Sequence, residues 1–332
     1  MGKILEGRRS GSSVRLESLE PHLKTAQELA KDKACVYITG SFARGDASSH
    51  SDLDLFIVGQ TAVENEKPKR MLSSLDEVCI KAELIRMTRQ CGFPEFSGDG
   101  QYLTHYTAEE LISSLGTPED DSQNTFTARL LLLLESKQLI GEGVYKDVIQ
   151  KTLASYWRDF SGHEAKFVPA FLCNDILRLW RTFCVNYEAR TKKAPSAEKA
   201  KRQLKKHKLK HSRLLTCYSA ILYLMDVYNS NKTVRIEDAE HMVRMTPTQR
   251  IEALQQNRSG TKTEGLLKDL LQTYEQFLND TDAKEEVLVE RILKDKEYKS
   301  KMFETENLFG QQMFRALQEI GGTSQLYQML VV

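Results

Sequence analysis

Two aspartates, Asp52 and Asp54, lie two positions apart beside the apolar run 55–58. The alternation of acidic and apolar residues predicts a β-strand, on which alternate side chains share one face. Two neighbouring carboxylates repel unless a cation lies between them, and Mg²⁺ bound jointly by carboxylates and substrate phosphates is the usual solution. We therefore expect Asp52 and Asp54 to hold a divalent metal, while Leu53, Leu55 and Ile57 bury the opposite face.

A glycine–serine pair, Gly40 and Ser41, follows a short run of β-forming residues at 35–39. Glycine lets the backbone approach a phosphate closely, and the serine hydroxyl and nearby N–H groups can donate hydrogen bonds to phosphate oxygens. We expect Gly40 and Ser41, together with Arg44 on the following short helix, to bind the phosphates of the substrate.

Neither feature is specific alone, since an isolated D-x-D is usually a solvated strand edge and a glycine–serine pair is common. Here ten residues separate Ser41 from Asp52, and apolar strands are predicted on both sides. This combination is much rarer and favours a catalytic site.

The segment GSFARGDASSHSDLDLFIV resembles the DNA polymerase β-like nucleotidyltransferase superfamily, especially its minimal nucleotidyltransferase and uridylyltransferase-like groups. The resemblance is specific over residues 36–58 and weak elsewhere. It implies a small mixed sheet and transfer of a nucleoside monophosphate from an NTP. It also implies two Mg²⁺ (or Mn²⁺) ions, one positioning the triphosphate and one activating the acceptor oxygen.

The same resemblance implies a third catalytic carboxylate on a later strand, between apolar residues. Asp99 and Glu83 are the candidates, and Glu95 lies in the same glycine-rich loop as Asp99. None has the expected context. Without a third carboxylate the chain would be a nucleotide binder with weak or no catalysis.

Local patterns predict the elements around this segment. Residues 1–14 are expected to be flexible, and 15–31 helical because leucines recur at helical spacing. A polar loop is expected over 61–70, a helix followed by a strand over 71–89, and further short elements over 102–115. From Phe126 onward helical periodicity dominates.

The predicted fold class is α+β, with a small mixed β-sheet core and helices followed by a large all-α domain. The linker-like stretch PEDDSQN places the boundary near residue 120. The nucleotidyltransferase core would then span 1–120 and the helical domain 121–332.

Two groups of cations stand out in the helical half. Arg178 and Arg181 lie on the polar side of a helix predicted over 166–190, where they either form local ion pairs or bind the triphosphate. The basic segment 192–213 has ten Lys/Arg residues and a single acid, Glu198. It is either a solvated helix face or a polyanion site, with Lys205 as a nucleotide contact.

The composition excludes several other classes. The chain has 332 residues, a formal net charge of +1 and six cysteines without C-x-x-C spacing. We expect reduced cysteines, no signal peptide, no transmembrane helix and a cytoplasmic location. With a net charge near zero, any attraction to nucleic acid must come from a local patch.

Three functions remain open. The first is an enzyme that modifies a macromolecular acceptor, either a tRNA-like RNA end or a protein side chain. The second is a nucleotide-binding antitoxin or regulatory module that acts on a partner protein. The third is a synthase of a small nucleotide signal, in which the acceptor is another nucleotide.

Overall fold

The computed structural model describes residues 2–64, 67–96, 103–189, 196–322 and 324–331. The chain forms two compact units. The N-terminal unit comprises Glu6–Arg158, and the helical unit comprises Met1–Leu5 with Asp159–Val332. Among the described residues, no helix combines the length and apolar character that a membrane span requires.

The elements up to residue 158 alternate between short strands and helices. In chain order they are α1 (Lys3–Glu17), α2 (Lys24–Ala30), β1 (Ala34–Thr39), α3 (Gly40–Arg44), β2 (Asp54–Gly59), β3 (Thr61–Glu64), β4 (Lys67–Arg70), α4 (Ser74–Gln90), β5 (His105–Thr107), α5 (Ala108–Ser113), α6 (Glu119–Ser122), α7 (Thr125–Leu134), β6 (Lys137–Ile140) and α8 (Glu142–Tyr156).

The main sheet has four strands in the order β5-β2-β1-β6. Strand β1 pairs antiparallel with both β2 and β6, whereas β2 pairs parallel with β5. A separate hairpin of β3 and β4 lies within the predicted loop 61–70. The small mixed sheet followed by a large helical region confirms the predicted α+β fold class.

The sheet is covered on both faces. Val36, Ile38, Leu55 and Ile57 belong to a buried cluster that also contains side chains of α1, α2 and α4. On the other face the ring of Tyr37 stacks on Phe56, with centroids 5.5 Å apart, and further aromatic contacts follow from Tyr106 and Tyr145. The paired strands are therefore buried on both sides, and only their ends can meet a substrate.

Two sequence-based expectations were wrong in detail. Residues 1–14 were expected to be flexible, but helix α1 begins at Lys3, with Leu5, Ser12 and Leu16 buried on one side. The expected strand within 71–89 is instead part of α4, a single helix. Ser73 caps this helix, and buried Ile80, Leu84 and Met87 recur at helical spacing.

The units divide after Arg158 rather than near residue 120. Strand β6 pairs with β1, so that Lys137 lies opposite Ile38 and Ile140 opposite Val36. Because the fourth strand of the sheet comes from beyond residue 120, the chain cannot leave the N-terminal unit at PEDDSQN.

A fully buried ion pair lies in the N-terminal unit. The Arg129 guanidinium on α7 donates to both carboxylate oxygens of Asp120, at 2.8 and 2.6 Å, and also to the Leu111 carbonyl and the Tyr156 hydroxyl. Burial by itself would lower the pKa of Arg129, but the hydrogen bonds and electrostatic interactions with Asp120 and Tyr156 together outweigh burial and raise it. The stretch expected to be a linker is therefore anchored in the core.

The helical unit contains no described strand. Its elements are α9 (Ala170–Ala189), α10 (Ser196–Lys208), a π-helical turn (Leu209–Arg213), α11 (Leu214–Asn231), α12 (Ile236–Arg244), α13 (Pro247–Asn257), α14 (Lys262–Asp280), α15 (Glu285–Lys294), α16 (Lys296–Gly321) and α17 (Gln325–Val331).

A buried histidine lies at the π-helical turn of this unit. The ring of His211 stacks on Phe277 with centroids 4.3 Å apart and lies 5.0 Å from Phe309. Burial, reinforced by the neighbouring His207, lowers the pKa of His211 from 6.5 to about 3. His207 itself is buried against Glu306, with Nδ1 3.2 Å from a carboxylate oxygen.

We expect Asp120→Ala to destabilise the protein strongly, because it leaves the Arg129 charge buried without its carboxylate. Removing one partner of a buried ion pair costs about 3–5 kcal/mol. Urea unfolding of the variant measures this loss. Glu119→Ala is the matched control, since the adjacent Glu119 is exposed, and it should change stability by less than about 0.5 kcal/mol. Equal losses in both variants would contradict a stabilising role for the pair.

We expect acid to destabilise the helical unit through His211. Its stability contribution is present above pH 6.5 and is lost as the pH falls, because the unfolded histidine binds a proton that the folded one does not until about pH 3. The slope is about 1.4 kcal/mol per pH unit for one proton. His211→Phe keeps a ring beside Phe277. Between pH 6 and 4, we expect the unfolding free energy of this variant to fall less steeply than that of the unaltered protein, by about 1.4 kcal/mol per pH unit.

The control for this titration is His163→Gln, which changes an exposed histidine of the same unit. Its unfolding free energy should follow the unaltered protein across the pH range. A His211→Phe profile parallel to that of the unaltered protein would show that His211 does not cause the acid sensitivity.

Candidate active site

The glycine–serine pair forms a tight turn between β1 and α3. Gly40 has a φ of +73°, which favours glycine. A Cβ atom at this position would lie 2.5 Å from Oδ2 of Asp54. The turn and the carboxylate are therefore in direct contact, and the contact leaves no room for a larger residue.

The two predicted metal ligands lie at one end of the sheet. Asp54 is the first residue of β2 and pairs with Thr39, the last residue of β1. Asp52 precedes the strand by two positions and, like Asp54, is partly exposed. Leu53 between them is 1% exposed and packs with Leu55 and Ile57 in the core. The prediction that these three leucine and isoleucine side chains bury the opposite face is confirmed.

Ser41 and Arg44, the other predicted phosphate contacts, differ in how far they are buried. Ser41 is partly exposed beside Gly40, so its hydroxyl can reach a ligand. Arg44 is only 7% exposed. Its Nε and Nη2 donate to Asp46 at 3.0 and 3.2 Å, and its Nη1 donates to Glu135 at 3.1 Å. This arginine ties the turn to the end of α7 through these ion pairs, and its role as a phosphate contact stays a prediction.

The loop between α3 and Asp52 is held by hydrogen bonds within the loop and by one hydrogen bond from α1. The Ser48 backbone N–H donates to the Ser51 hydroxyl at 3.0 Å, and the His50 N–H donates to the Ser48 hydroxyl at 3.1 Å. The Arg15 guanidinium on α1 donates to the Ser48 carbonyl at 2.6 Å. Burial lowers the pKa of Arg15. The sequence analysis did not identify Arg15. The one signal for it in the sequence is its position beside the leucines that recur at helical spacing over 15–31.

The two candidates for a third carboxylate that the structure describes are each paired with an arginine. Asp99 lies outside the described residues and stays a prediction. Glu83 is on helix α4, where it accepts a hydrogen bond from Arg86 at 2.7 Å, and Glu95 is paired with Arg89 at 3.1 Å. Within the described part of the chain, no group of three potential ligand side chains is arranged to hold a metal.

The strand next to β2 also lacks an acid where the structure describes it. β5 pairs parallel with β2 and reads His105-Tyr106-Thr107, preceded by Leu103 and Thr104. His105 is 4% exposed, and its Nδ1 lies 2.9 Å from a Glu77 oxygen. Burial lowers the pKa of His105 despite this carboxylate. Strand β5 therefore begins with a buried histidine and not with an acid.

The residues at the end of the sheet nevertheless suit a divalent metal. Asp52 and Asp54 offer hard oxygen ligands and are accessible, while the apolar residues around them hold the backbone in place. Substrate phosphate oxygens would complete the coordination, as is usual for Mg²⁺.

The predicted cations of the helical half lie in the helical unit. Arg178 and Arg181 line a cavity of about 250 Å³ on α9, together with Thr182, Val185 and Asn186. The guanidinium of Arg178 is 3.9 Å from Asp175, which is a long ion pair, and Arg181 is exposed. Their role as nucleotide contacts stays a prediction.

Much of the basic segment is occupied by contacts within the unit. Lys201 is 2.6 Å from Glu285, Arg202 pairs with Glu198, and Lys210 is 3.7 Å from Glu306. Lys206 and Arg213 lie over aromatic rings of Phe303 and Phe183. Lys205 is exposed on α10 and takes part in none of these contacts. These partners favour the interpretation of this segment as a helix face.

The comparison with protein families supports the assignment made from the glycine–serine turn and the aspartates. The model of the family described as "Nucleotidyltransferase domain" matches residues 19–92. This range contains Gly40, Ser41, Asp52 and Asp54 but leaves out α1, β5 and β6. No curated protein and no solved structure matches the chain. Residues 19–92 of this chain are therefore similar to nucleotidyltransferase domains.

Proposed function

We propose that this protein is a metal-dependent nucleotidyltransferase that moves a nucleoside monophosphate from an NTP to an acceptor hydroxyl and releases pyrophosphate. The observation that carries the proposal is the contact of the Gly40 turn with Asp54, where a Cβ would come within 2.5 Å of Oδ2. A phosphate-binding turn and a metal-binding carboxylate thereby meet at one accessible end of the sheet. The proposed reaction consumes NTPs and is placed in the cytoplasm.

Each residue of this end has a separate task in the proposal. The backbone at Gly40 and the hydroxyl of Ser41 bind triphosphate oxygens, since both lie where the buried strand ends. Asp52 and Asp54 would hold two Mg²⁺ (or Mn²⁺) ions, which would neutralise charge on the phosphates and activate the acceptor oxygen. The acceptor oxygen bonds to the α-phosphorus, its proton is released, and the bond to the pyrophosphate oxygen breaks. Asp99 is the proposed third carboxylate.

We propose RNA as the acceptor, bound by the α9 cavity. Its two arginines, Arg178 and Arg181, offer planar groups that bind phosphate oxygens through paired hydrogen bonds. Trp180 on the same helix is partly exposed, and its ring lies 6.1 Å from that of Tyr218. Aromatic side chains beside arginines suit single-stranded nucleic acid, because bases stack on rings.

One incubation separates this function from the two alternatives. The pure protein is mixed with each labelled NTP, Mg²⁺ or Mn²⁺, and total tRNA, protein lysate or no acceptor. Label in RNA with pyrophosphate release is the expected result. Label in protein would change the acceptor, and a small nucleotide product without added acceptor would indicate a signal synthase. NTP binding without turnover under all conditions would favour a regulatory module acting on a partner protein.

We expect Asp52→Asn and Asp54→Asn each to lower turnover at least 10³-fold while the fold stays intact. Loss of one anionic ligand of the metals removes about 4 kcal/mol of transition-state stabilisation. Initial rates at saturating NTP, with circular dichroism as a check of folding, measure the effect. Near-normal turnover in either variant would end the catalytic assignment.

Two other acidic residues, Glu83 and Glu95, provide controls for the same turnover assay. Glu83→Gln and Glu95→Gln remove carboxylates that are paired with Arg86 and Arg89 and should leave turnover unchanged. Asp99→Asn should behave like Asp54→Asn. An Asp99 variant with full activity, or a Glu83 variant without activity, would reassign the third carboxylate.

We expect Arg181→Glu to weaken RNA binding and to make it less dependent on salt. Each phosphate contact on a single strand contributes about −0.7 to the slope of log affinity against log salt. Fluorescence anisotropy with a short single-stranded RNA at several salt concentrations measures the slope. Lys205→Glu on α10 is the control for added negative charge and should change affinity less.

The opposite outcomes are equally clear. A larger effect in Lys205→Glu would move the RNA to the basic segment. A loss of NTP affinity in Arg181→Glu, with unchanged RNA binding, would make Arg181 a triphosphate contact instead.

A further inference from the structure

Helix α1 lies outside the family match at 19–92, but it contacts the segment between Gly40 and Asp52 directly. The side chain of Arg9 lies against Gly45, where an added Cβ would come 3.4 Å from Arg9 Cγ. Ser12, three positions later, is 2% exposed. Arg15, a further three positions along, reaches the Ser48 carbonyl. One side of α1 therefore packs along the loop that connects α3 to Asp52.

Arg15 makes the most extensive of these contacts. Besides the 2.6 Å hydrogen bond to Ser48, its guanidinium lies 4.8 Å from the ring centre of Phe42 and 4.4 Å from that of Phe93. Phe42 immediately follows Ser41, and Phe93 follows α4. A single planar cation thus joins four parts of the chain: α1, the glycine–serine turn, the loop and the end of α4.

The position of Asp52 depends on this loop. Asp54 is fixed by strand pairing with Thr39, but Asp52 lies before the strand and outside that pairing. The start of the loop is held by the ion pair of Arg44 with Asp46. Its middle is held at Ser48, by Ser51 within the loop and by Arg15 from outside. Without Arg15, the segment leading into Asp52 loses the hydrogen bond that α1 donates to the Ser48 carbonyl.

We propose that Arg15 is a positioning residue for metal binding, which holds the loop of residues 45–51 so that Asp52 stays beside Asp54. This role rests on the proposed function. Arg15 acts through the Ser48 carbonyl and the Phe42 ring, and it does not touch the substrate.

The first test measures the loop without any activity assay. Amide hydrogen exchange of residues 46–52 is compared in the unaltered protein, Arg15→Met and Arg15→Lys. Methionine keeps an apolar chain but loses the hydrogen bond and the cation, and we expect exchange about tenfold faster in this loop. Exchange in β6 should not change. Lysine keeps the charge and one donor but not the planar group, so its exchange should lie between the two.

The second test measures Mn²⁺ affinity in the presence of a nonhydrolysable ATP analogue, by calorimetry or spin resonance. We expect Arg15→Met to weaken Mn²⁺ binding about tenfold, with partial recovery in Arg15→Lys. Lys24→Met removes an exposed cation from α2 and is the matched control with unchanged affinity. The half-saturating Mn²⁺ concentration for turnover should rise in Arg15→Met by the same factor.

The outcomes distinguish this role from the proposed function. Unchanged loop exchange in Arg15→Met would overturn the claim that Arg15 holds the loop. Faster loop exchange with unaltered Mn²⁺ affinity would overturn the positioning role alone and leave the proposed function standing. Absence of Mn²⁺–nucleotide binding by the unaltered protein would overturn both. A variant that fails to fold would show loss of exchange protection throughout, and Arg15→Lys then decides the question.

Discussion

The close approach of Gly40 to Asp54 is the constraint on which the candidate site depends. Both residues lie at the ends of antiparallel strands that pair directly, Thr39 with Asp54. The turn that follows β1 must bend back with a positive φ at Gly40, and a Cβ there would lie 2.5 Å from a carboxylate oxygen of Asp54. Glycine is the residue that meets both demands. The remainder of the N-terminal unit fixes these strand ends by burying the sheet on both faces.

The aspartates and the arginine of the candidate site differ in their exposure to solvent. The two aspartates are partly exposed and flank a fully buried leucine, so a ligand can reach them while their backbone stays fixed. Arg44, four residues beyond Gly40, is buried between Asp46 and Glu135 instead. An arginine in such an ion pair is expensive to move, because separating it leaves a buried charge without a partner. It stabilises the turn, and in the proposed reaction the backbone and Ser41 bind the phosphates.

The helical unit shows why a run of positive charge in a sequence is weak evidence for a polyanion site. Acids from α15 and α16, distant in sequence, pair with Lys201 and Lys210 of the basic segment. Two more cations pack over aromatic rings, where their charge faces a π system. By contrast, the residues that line the cavity on α9 include two arginines and no acid, although their segment is less basic. The number of lysines in a segment therefore does not by itself indicate a binding surface.

The sequence by itself determined the strand–turn–strand segment, the burial of Leu53, Leu55 and Ile57, and the α+β class, because these depend on periodicity and on residue types a few positions apart. It did not determine α1, whose low apolar content resembles a flexible segment, or β6, which joins the sheet through pairing with β1 about a hundred residues earlier. The partners of Arg44, Arg15 and the basic segment also required the tertiary structure. Ion pairs and cation–π contacts join residues distant in the chain, and no local pattern specifies them.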